Sequence, residues 1–347
     1  MAPKVTVAIP TYNRASLLKG CLEMVFRQTF QNFEVIVSDN CSPDGTAETV
    51  QAFSDPRLRY YRNKSNLGVY ANMNRCLELA RGEYITIVHD DDLYVPEFIE
   101  QEVRLLDEHP NVGMVHCAAF ETDPAGVPQW LNKVYSDTRI MKGKEVFVQF
   151  LQGHNVYCSS VMARASLYRM VGSFDARHRS GDYHMWLRMA LHADVAYLAQ
   201  PLIAVRLHDG RLSSALKPLE WFEDFTKVFE AGLALGEAAC PELLGSKEGL
   251  YRRVAQVQGR RFLITAFSAA ADREWSTVTE CAEVLRRLQA WGLPKVYAFI
   301  AQISSHPASY FVLSPLRQLR RLRARRGLPD LEGWVDHAAG SPERARP

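Results

Sequence analysis

The sequence predicts an α/β fold, in which a mostly parallel sheet is flanked by helices and followed by a helical C-terminal region. Short apolar runs alternate with segments of helical periodicity up to about residue 116, and this alternation is typical of βαβ units. The runs are apolar at nearly every position, as expected for parallel strands covered on both faces. Past Pro218 the strand signals give way to successive helical segments.

The predicted elements of the first half follow one another at short intervals. Runs rich in β-branched and aromatic residues predict strands at 4–9, 33–37, 58–61, 84–88 and 112–116. Apolar residues at helical spacing predict helices at 14–28, 68–80 and after Pro96, with a shorter helix ending near Phe53. We expect Pro10 to end the first strand. We expect Gly82 to break the helix at 68–80 before the fourth strand begins.

The second half is less regular at first and then mostly helical. Residues 118–181 show little periodicity, 183–191 is a predicted helix, and apolar runs recur over 195–207. Further helices are predicted at 220–235, 248–271, 273–289 and 294–303. The sequence therefore predicts a domain at 1–215 and a helical region with a basic tail at 216–347.

Composition is that of an ordinary globular protein. Of the 347 residues, 47% are hydrophobic and 23% charged, and the formal net charge of +2 gives no argument for nucleic-acid binding. Seven scattered cysteines without a CxxC pair predict free thiols in a reducing compartment. We see no secretory signal, and no run approaches the ~20 apolar residues that span a bilayer. The expected location is the cytoplasm.

Polar clusters follow three of the predicted strands: residues 10–14 follow the first, 39–40 the second and 89–92 the fourth. The carboxyl ends of parallel strands lie along one edge of a sheet, where ligands of open α/β folds bind. We therefore expect these three distant stretches to meet in space and to form a site.

Three adjacent carboxylates, Asp90, Asp91 and Asp92, are the sharpest feature of that site. Their mutual repulsion at a buried edge calls for compensation, and a divalent cation such as Mn²⁺ or Mg²⁺ supplies it. The alternative is a solvated turn in which one aspartate caps the following helix. Because this cluster follows a strand beside the two others, the sequence favours the metal site.

Three further residues each have a structural and a functional interpretation. Asp39 fits an ordinary Asx turn or a contact with a nucleotide base or ribose. Asp182 stands where a helix N-cap would, or acts as a general base presented toward the cleft. His208 is a structural histidine or a manganese ligand.

Six segments of the chain resemble family 2 glycosyltransferases, the large inverting family with the GT-A fold. These are AIPTYNR, SDNCSPDGT, NLG, HDDDLYVP, GDYHMWLR and VRLHDGRLS, and they cover about residues 4–213 in the order of the family. Three positions depart from its pattern. Asn40 and His89 stand where many members have aspartates, and Gly181 stands where many have a glutamate.

The resemblance implies a role for each residue of these segments that matches the family. The nucleotide-binding residues would be Pro10, Thr11, Tyr12, Asn13, Asp39, Asn66 and Asp90. The metal ligands would be Asp91, Asp92 and His208, with Asp92 alternatively holding the sugar. Asp182 would be the catalytic base.

The implied activity is metal-dependent, inverting transfer of a sugar from a nucleoside diphosphate sugar, with UDP-sugar as the expected donor. The acceptor would be a hydroxyl of a glycan, a lipid-linked molecule or a small molecule. If water were the usual acceptor, the reaction would be slow hydrolysis of the donor. One alternative is a sugar-phosphate nucleotidyltransferase, although residues 10–14 lack the glycine-rich loop that such an enzyme needs. A non-catalytic binding protein on a decayed transferase fold is the other. The two alternatives stay open at this point.

An arginine-rich stretch near the C-terminus has two interpretations. It could lie on an anionic membrane surface, which would place the protein peripherally at the inner face of the membrane. It could equally be a solvated end of the chain. Its arginines are Arg317, Arg320, Arg321, Arg323, Arg325 and Arg326.

Overall fold

A computed structural model describes residues 2–153, 155–208, 216–304 and 306. These residues divide into two compact units. The first contains the described residues of 2–146 and 155–207, and the second contains 147–153, 208, 216–304 and 306. The predicted division between 215 and 216 adjoins residues 209–215, outside the described residues, and stays a prediction.

The first unit alternates strands and helices. Its strands are β1 (Val5–Thr11), β2 (Phe33–Asp39), β3 (Leu58–Arg62), β4 (Tyr84–Ile87), β5 (Leu93–Tyr94), β6 (Val112–Thr122), β7 (Pro128–Asn132), β8 (Arg139–Met141), β9 (Val161–Arg164) and β10 (Asp194–Arg206). Its helices are α1 (Ala15–Phe26), α2 (Thr46–Gln51), α3 (Val69–Leu79), α4 (Phe98–Glu108), α6 (Ala165–Val171) and α7 (Gly181–His192), with a 3₁₀ turn at Cys158–Ser160. Helix α5 (Gly143–Gln152) begins in this unit and ends in the second.

All ten strands form one sheet in the order β3-β2-β1-β4-β9-β6-β10-β5, with β7 beside β6 and β8 beside β10. Strand β1 runs parallel to β2 and β4, and β2 runs parallel to β3. Strand β9 is antiparallel to both β4 and β6, and β10 is parallel to β6. Six strands (β1, β2, β3, β4, β6 and β10) therefore point the same way and end at one edge of the sheet.

The core lies on both faces of the parallel strands. Every residue of β2 is buried, and β1 is buried at all but one position, which explains why most residues of these strands are apolar. Helix α4 buries Ile99, Val103 and Leu106, the stripe that its spacing predicts. The predicted α/β class and the helical C-terminal region are both confirmed.

The sequence missed the antiparallel part of the sheet. Strands β5, β7, β8 and β9 have two to five residues each, too short to show a periodicity of two. The expected end of β1 at Pro10 is wrong. The N–H of Val88 donates to the carbonyl of Ala8. The backbone N–H and C=O groups of the even-numbered residues of β1 therefore point toward β4. Proline has no N–H to donate. Because β4 ends before it reaches Pro10, no carbonyl of β4 loses a hydrogen bond through this proline.

The second unit is helical in its described residues. Its helices are α8 (Pro218–Ala239), α9 (Pro241–Leu244), α10 (Lys247–Ala271), α11 (Trp275–Leu288) and α12 (Val296–Ser304), with a 3₁₀ turn at Gln289–Trp291. Aromatic rings pack together here, with Trp291 against Phe222, Phe229 and Tyr251. None of the described helices is long and apolar enough to cross a bilayer. The arginine-rich stretch lies outside the described residues.

Candidate functional site

The three polar clusters meet at the edge where β1, β2 and β4 end. The hydroxyl of Thr11, at the end of β1, donates to the carboxylate of Asp90 at 2.6 Å. On the other side, the N–H of Asn40 donates to the carbonyl of Thr11 at 2.9 Å. The N–H of Asn13 donates to the hydroxyl of Ser42 at 2.9 Å. The chain therefore brings together the stretches that the parallel topology predicts to converge.

Arg14 supplies positive charge to the buried carboxylates. Its Nη1 lies 3.0 Å from an oxygen of Asp90 and 2.7 Å from an oxygen of Asp91. Asp90 and Asp91 are 4% and 6% exposed. Burial raises the pKa of Asp90, while Arg14 and the hydrogen bond from Thr11 oppose that rise. Protein side chains thus provide part of the compensation that the sequence argument assigned to a cation.

Asp92 joins three segments of the first unit. One of its oxygens accepts a hydrogen bond from the hydroxyl of Ser159 at 2.6 Å, and the other accepts from the N–H of Arg206 at 3.1 Å. Burial raises the pKa of Asp92. Both oxygens therefore have protein partners, and the predicted role of Asp92 toward metal or sugar stays a prediction.

His89 completes a group of cation ligands that the sequence argument did not assemble. One ligand atom from each of His89, Asp91 and Asp92 lies within 4.8 Å of the others. Nε2 of His89 is buried and has no hydrogen-bond partner in the part of the chain that the structure describes. The signal in the sequence was its position directly before the three aspartates.

This donor set fits a divalent cation. Carboxylate oxygens suit Mg²⁺ and Mn²⁺, and an imidazole nitrogen beside them favours Mn²⁺ of the two. Nδ1 of His89 lies 3.8 Å from an oxygen of Asp92, and Nε2 of the same ring is a buried polar atom without a partner among the described residues, which is costly unless a ligand satisfies it. The sequence grouped Asp91 and Asp92 with His208, which is half-buried two residues beyond the end of β10. The role of His208 stays a prediction.

Asp39 is fully buried at the end of β2. One oxygen accepts a hydrogen bond from the N–H of Ser42 at 2.8 Å, and the other accepts from the hydroxyl of Tyr60 at 2.6 Å. Arg62 lies 3.8 Å from the second oxygen. The contact with Ser42 is a local side-chain to backbone hydrogen bond that spans three residues, one more than in the Asx turn of the structural interpretation. The predicted contact with a nucleotide stays a prediction.

The loops around Asp39 offer both rigid backbone and an exposed ring. Asn13 has a φ of 57°, a left-handed conformation that asparagine adopts more readily than most residues. The ring of Tyr12 is 44% exposed. Asn66 is exposed and accepts hydrogen bonds from Asn40 and from the N–H of Gly68. Pro10, one residue before Thr11, pairs with Ser38 in the sheet. Their predicted nucleotide contacts stay predictions.

Asp182 is the second residue of α7 and is half-buried. Ser180 occupies the N-cap position without a side-chain cap, so the expectation that Asp182 stands at the N-cap is wrong by two residues. Its carboxylate accepts hydrogen bonds from the hydroxyl of Tyr70 at 3.2 Å and from the N–H of Tyr183 at 2.9 Å. Burial raises the pKa of Asp182 despite these two donors. Such a carboxylate is a stronger base than an exposed one.

Comparison with known proteins shows which family the chain resembles. Residues 6–171 match the model of glycosyl transferase family 2. The chain belongs to glycosyl transferase family 2. The putative glycosyltransferase EpsE of Bacillus subtilis is 31% identical over 194 residues, which are 54% of this chain and 66% of EpsE. The glycosyltransferase class that the resemblance implied is therefore confirmed, and the nucleotidyltransferase alternative loses its support.

Solved structures show that the glycosyltransferase has the GT-A type of fold. Residues 1–349 of S. aureus TarS in complex with UDP-GlcNAc superpose with a TM-score of 0.62 at 19% identity, covering 91% of this chain and 92% of that one. The mannosyltransferase PcManGT of Pyrobaculum calidifontis, in complex with GDP-Man and Mn²⁺, has a TM-score of 0.51 at 19% identity, with coverages of 92% and 88%. At these identities the likeness concerns the fold.

Proposed function

We propose that this glycosyltransferase moves a sugar from a nucleoside diphosphate sugar to a hydroxyl acceptor, with inversion and with the help of Mn²⁺ or Mg²⁺. A UDP-sugar is the expected donor. The observation that carries the proposal is the junction of Thr11 and Arg14 with Asp90 and Asp91 where the parallel strands end. The complexes of TarS with UDP-GlcNAc and of PcManGT with GDP-Man and Mn²⁺ support a donor of this class.

The cation would be held by Asp91, His89 and Asp92, whose ligand atoms lie within 4.8 Å of one another, with His208 as a further predicted ligand. When bound, the ion supplies charge neutralisation for the diphosphate of the donor. Arg14 contacts one of these ligands, Asp91, and also contacts Asp90. Its guanidinium would be available for a charge-assisted hydrogen bond to a diphosphate oxygen.

The nucleoside would lie along the loops that follow β1 and β2. The exposed ring of Tyr12 offers a surface on which a base can stack. Asp39 offers carboxylate oxygens to base or ribose, and Pro10, Asn13 and Asn66 complete the predicted lining. Binding there would require Asp39 to exchange its hydrogen bond from Tyr60 or Ser42 for one from the ligand.

Asp182 would accept the proton of the acceptor hydroxyl. The acceptor oxygen forms a bond to the anomeric carbon of the donor sugar while the bond from that carbon to the diphosphate oxygen breaks. The proton passes to Asp182, and the nucleoside diphosphate leaves. A single displacement inverts the anomeric configuration. The hydroxyl of Tyr70 lies 3.2 Å from the carboxylate and 2.7 Å from the carbonyl of Arg179, so its one proton is shared between two acceptors.

A thermal-shift titration tests the donor and the cation together. We would titrate UDP, GDP, dTDP, CDP and ADP, each with Mn²⁺ and with EDTA. A ligand present at 100 times its dissociation constant adds about 2.7 kcal/mol to the free energy of unfolding. We expect the largest shift with UDP and Mn²⁺ together.

Two variants make the titration specific. Asp91→Asn is expected to lose the dependence on Mn²⁺. Asp137→Asn, whose side chain is 59% exposed, serves as the control and is expected to keep it. If no nucleoside diphosphate shifts the wild-type midpoint with Mn²⁺, the proposed donor class is wrong. An NMR spectrum of the fresh product tests inversion, since the product anomer must be opposite to that of the donor.

A further inference from the structure

A second cluster of metal-binding side chains shares no residue with the group at the sheet edge. It consists of Asp175 and His178, in the loop before α7, and His184, in the first turns of that helix. One ligand atom from each lies within 4.8 Å of the others. We propose that these three residues bind Zn²⁺, or a transition-metal ion of the same ligand preference, in a site separate from the donor site. This proposal does not rest on the proposed function.

The geometry of the cluster is close to what Zn²⁺ requires. Nitrogen and oxygen ligands sit about 2.0–2.2 Å from zinc, which places them about 3–3.5 Å apart. An oxygen of Asp175 lies 3.7 Å from Nε2 of His178. The rings of His178 and His184 are 5.1 Å apart between centroids and inclined at 61°. Small rotations of these side chains are therefore enough to enclose an ion.

Both imidazoles carry a buried nitrogen that is not satisfied by the protein. Nδ1 of His178 and Nδ1 of His184 have no hydrogen-bond partner in the described part of the chain. Buried polar atoms nearly always have partners, yet each ring keeps one nitrogen that the described residues do not satisfy, while Nε2 of His178 is the nitrogen near Asp175. Imidazole with one carboxylate is a known set for zinc and for other late divalent ions. The chemistry of the cluster thus indicates a transition metal rather than Mg²⁺ or Ca²⁺.

The carboxylate of Asp175 has a partner that an ion can displace. Arg177 holds both of its oxygens, through Nε at 2.9 and 3.1 Å and through a terminal nitrogen at 2.7 Å. The side chain of Arg177 is 87% exposed. It can therefore move into water at little cost when an ion neutralises Asp175.

An ion here would fasten the segment that presents Asp182. The loop is already attached to α3, since Asn74 exchanges hydrogen bonds with the backbone of Phe174 and Tyr70 donates to the carbonyl of Arg179. Coordination by Asp175, His178 and His184 would tie the same loop to α7 on both sides of Asp182. The ion would act as a structural clamp.

Calorimetric titration of the metal-stripped, full-length protein with Zn²⁺ tests the site. A His89→Gln background removes the imidazole of the donor site, and the binding that is lost when His178 and His184 are also replaced is assigned to the new site. In this background we expect one Zn²⁺ equivalent. Adding His178→Gln and His184→Gln should lower its affinity at least about 100-fold. His192→Gln, an exposed histidine at the end of α7, is the control and should change nothing.

Equal stoichiometry and affinity with and without the two substitutions would overturn the proposal. Because the combined variant could fail to fold, zinc-edge X-ray absorption of the His89→Gln protein gives a second measurement. We expect nitrogen ligands at about 2.0–2.1 Å with the outer-shell scattering of imidazole. A shell of oxygen ligands without imidazole scattering would overturn the proposal by itself.

Discussion

Replacing Arg14 by glutamine measures how much the buried carboxylates depend on it. The guanidinium is 28% exposed, whereas the side chains of Asp90 and Asp91 are 4% and 7% exposed. Each hydrogen bond to a charged group contributes about 1.5–3 kcal/mol. Because a single nitrogen serves both contacts, we take the lower end and expect a loss of about 3 kcal/mol, in the range for breaking a buried ion pair.

Urea denaturation in EDTA gives the free energy of unfolding directly. Arg75→Gln is the matched control, since the pair of Arg75 with Glu78 is 42% and 64% exposed and should contribute less than about 0.5 kcal/mol. A second set of urea denaturations, with Mn²⁺ in place of EDTA, tests whether the ion can replace the positive charge of the guanidinium. Mn²⁺ should then stabilise the Arg14→Gln protein more than it stabilises the wild type.

Two results would refute this reasoning. If Arg14→Gln unfolds within about 0.5 kcal/mol of the wild type in EDTA, the carboxylates do not need the guanidinium. If Mn²⁺ stabilises both proteins equally, the arginine and the ion do not compensate the same charges.

Three further predictions concern other parts of the first unit. Asp182→Asn should lower kcat by about 10²–10⁴-fold while the thermal shift with donor stays unchanged; wild-type turnover would remove Asp182 as the base. Burial raises the pKa of Glu102 well above its usual value, so the folded state retains the proton that the unfolded chain loses. Glu102→Gln should therefore gain stability over the wild type as pH rises from about 4.5, and denaturation between pH 4 and 8 should show that gap; a constant gap would contradict it. In Gly143→Ala the new Cβ would lie 2.0 Å from the carbonyl of Ala193, so we expect a lower Tm and a loss on the order of 3 kcal/mol. Gly20→Ala, whose Cβ meets nothing within 4 Å, should keep or raise the Tm, and an equal Tm for both variants would speak against the clash.

The parallel half of the sheet could be predicted because its strands carry their own signal. Mostly apolar runs such as residues 33–37 of β2 are distinctive in sequence, and the common direction of β1, β2 and β4 follows from the helices between them. The convergence of residues 10–14, 39–40 and 89–92 followed from that direction without any knowledge of side chains. Strands β7, β8 and β9 had no comparable signal, because neighbouring strands rather than their own sequence stabilise them.

Side-chain partners were beyond the reach of the sequence for a different reason. Ser159 and Asp92 are 67 positions apart, and Tyr70 and Asp182 are 112 apart. Such pairs depend on how the elements pack, which local spacing does not encode. The position of His89 beside the aspartates could be read from the sequence. That one of its ring nitrogens is buried without a partner in the described part of the chain became known only from the structure.

The reversed strand β9 has a consequence for how this protein can change. By running against both β4 and β6, it lets β6 end at the same edge as β4. The hairpin turn that follows, in which Asp123 accepts hydrogen bonds from the N–H groups of Ala125 and Val127, therefore opens on that edge too. Surface turns tolerate insertions far better than strands do. A library that varies the length and sequence of residues 123–127 would thus diversify this edge of the sheet while the scaffold stays constant, which makes this hairpin a suitable starting point for directed evolution.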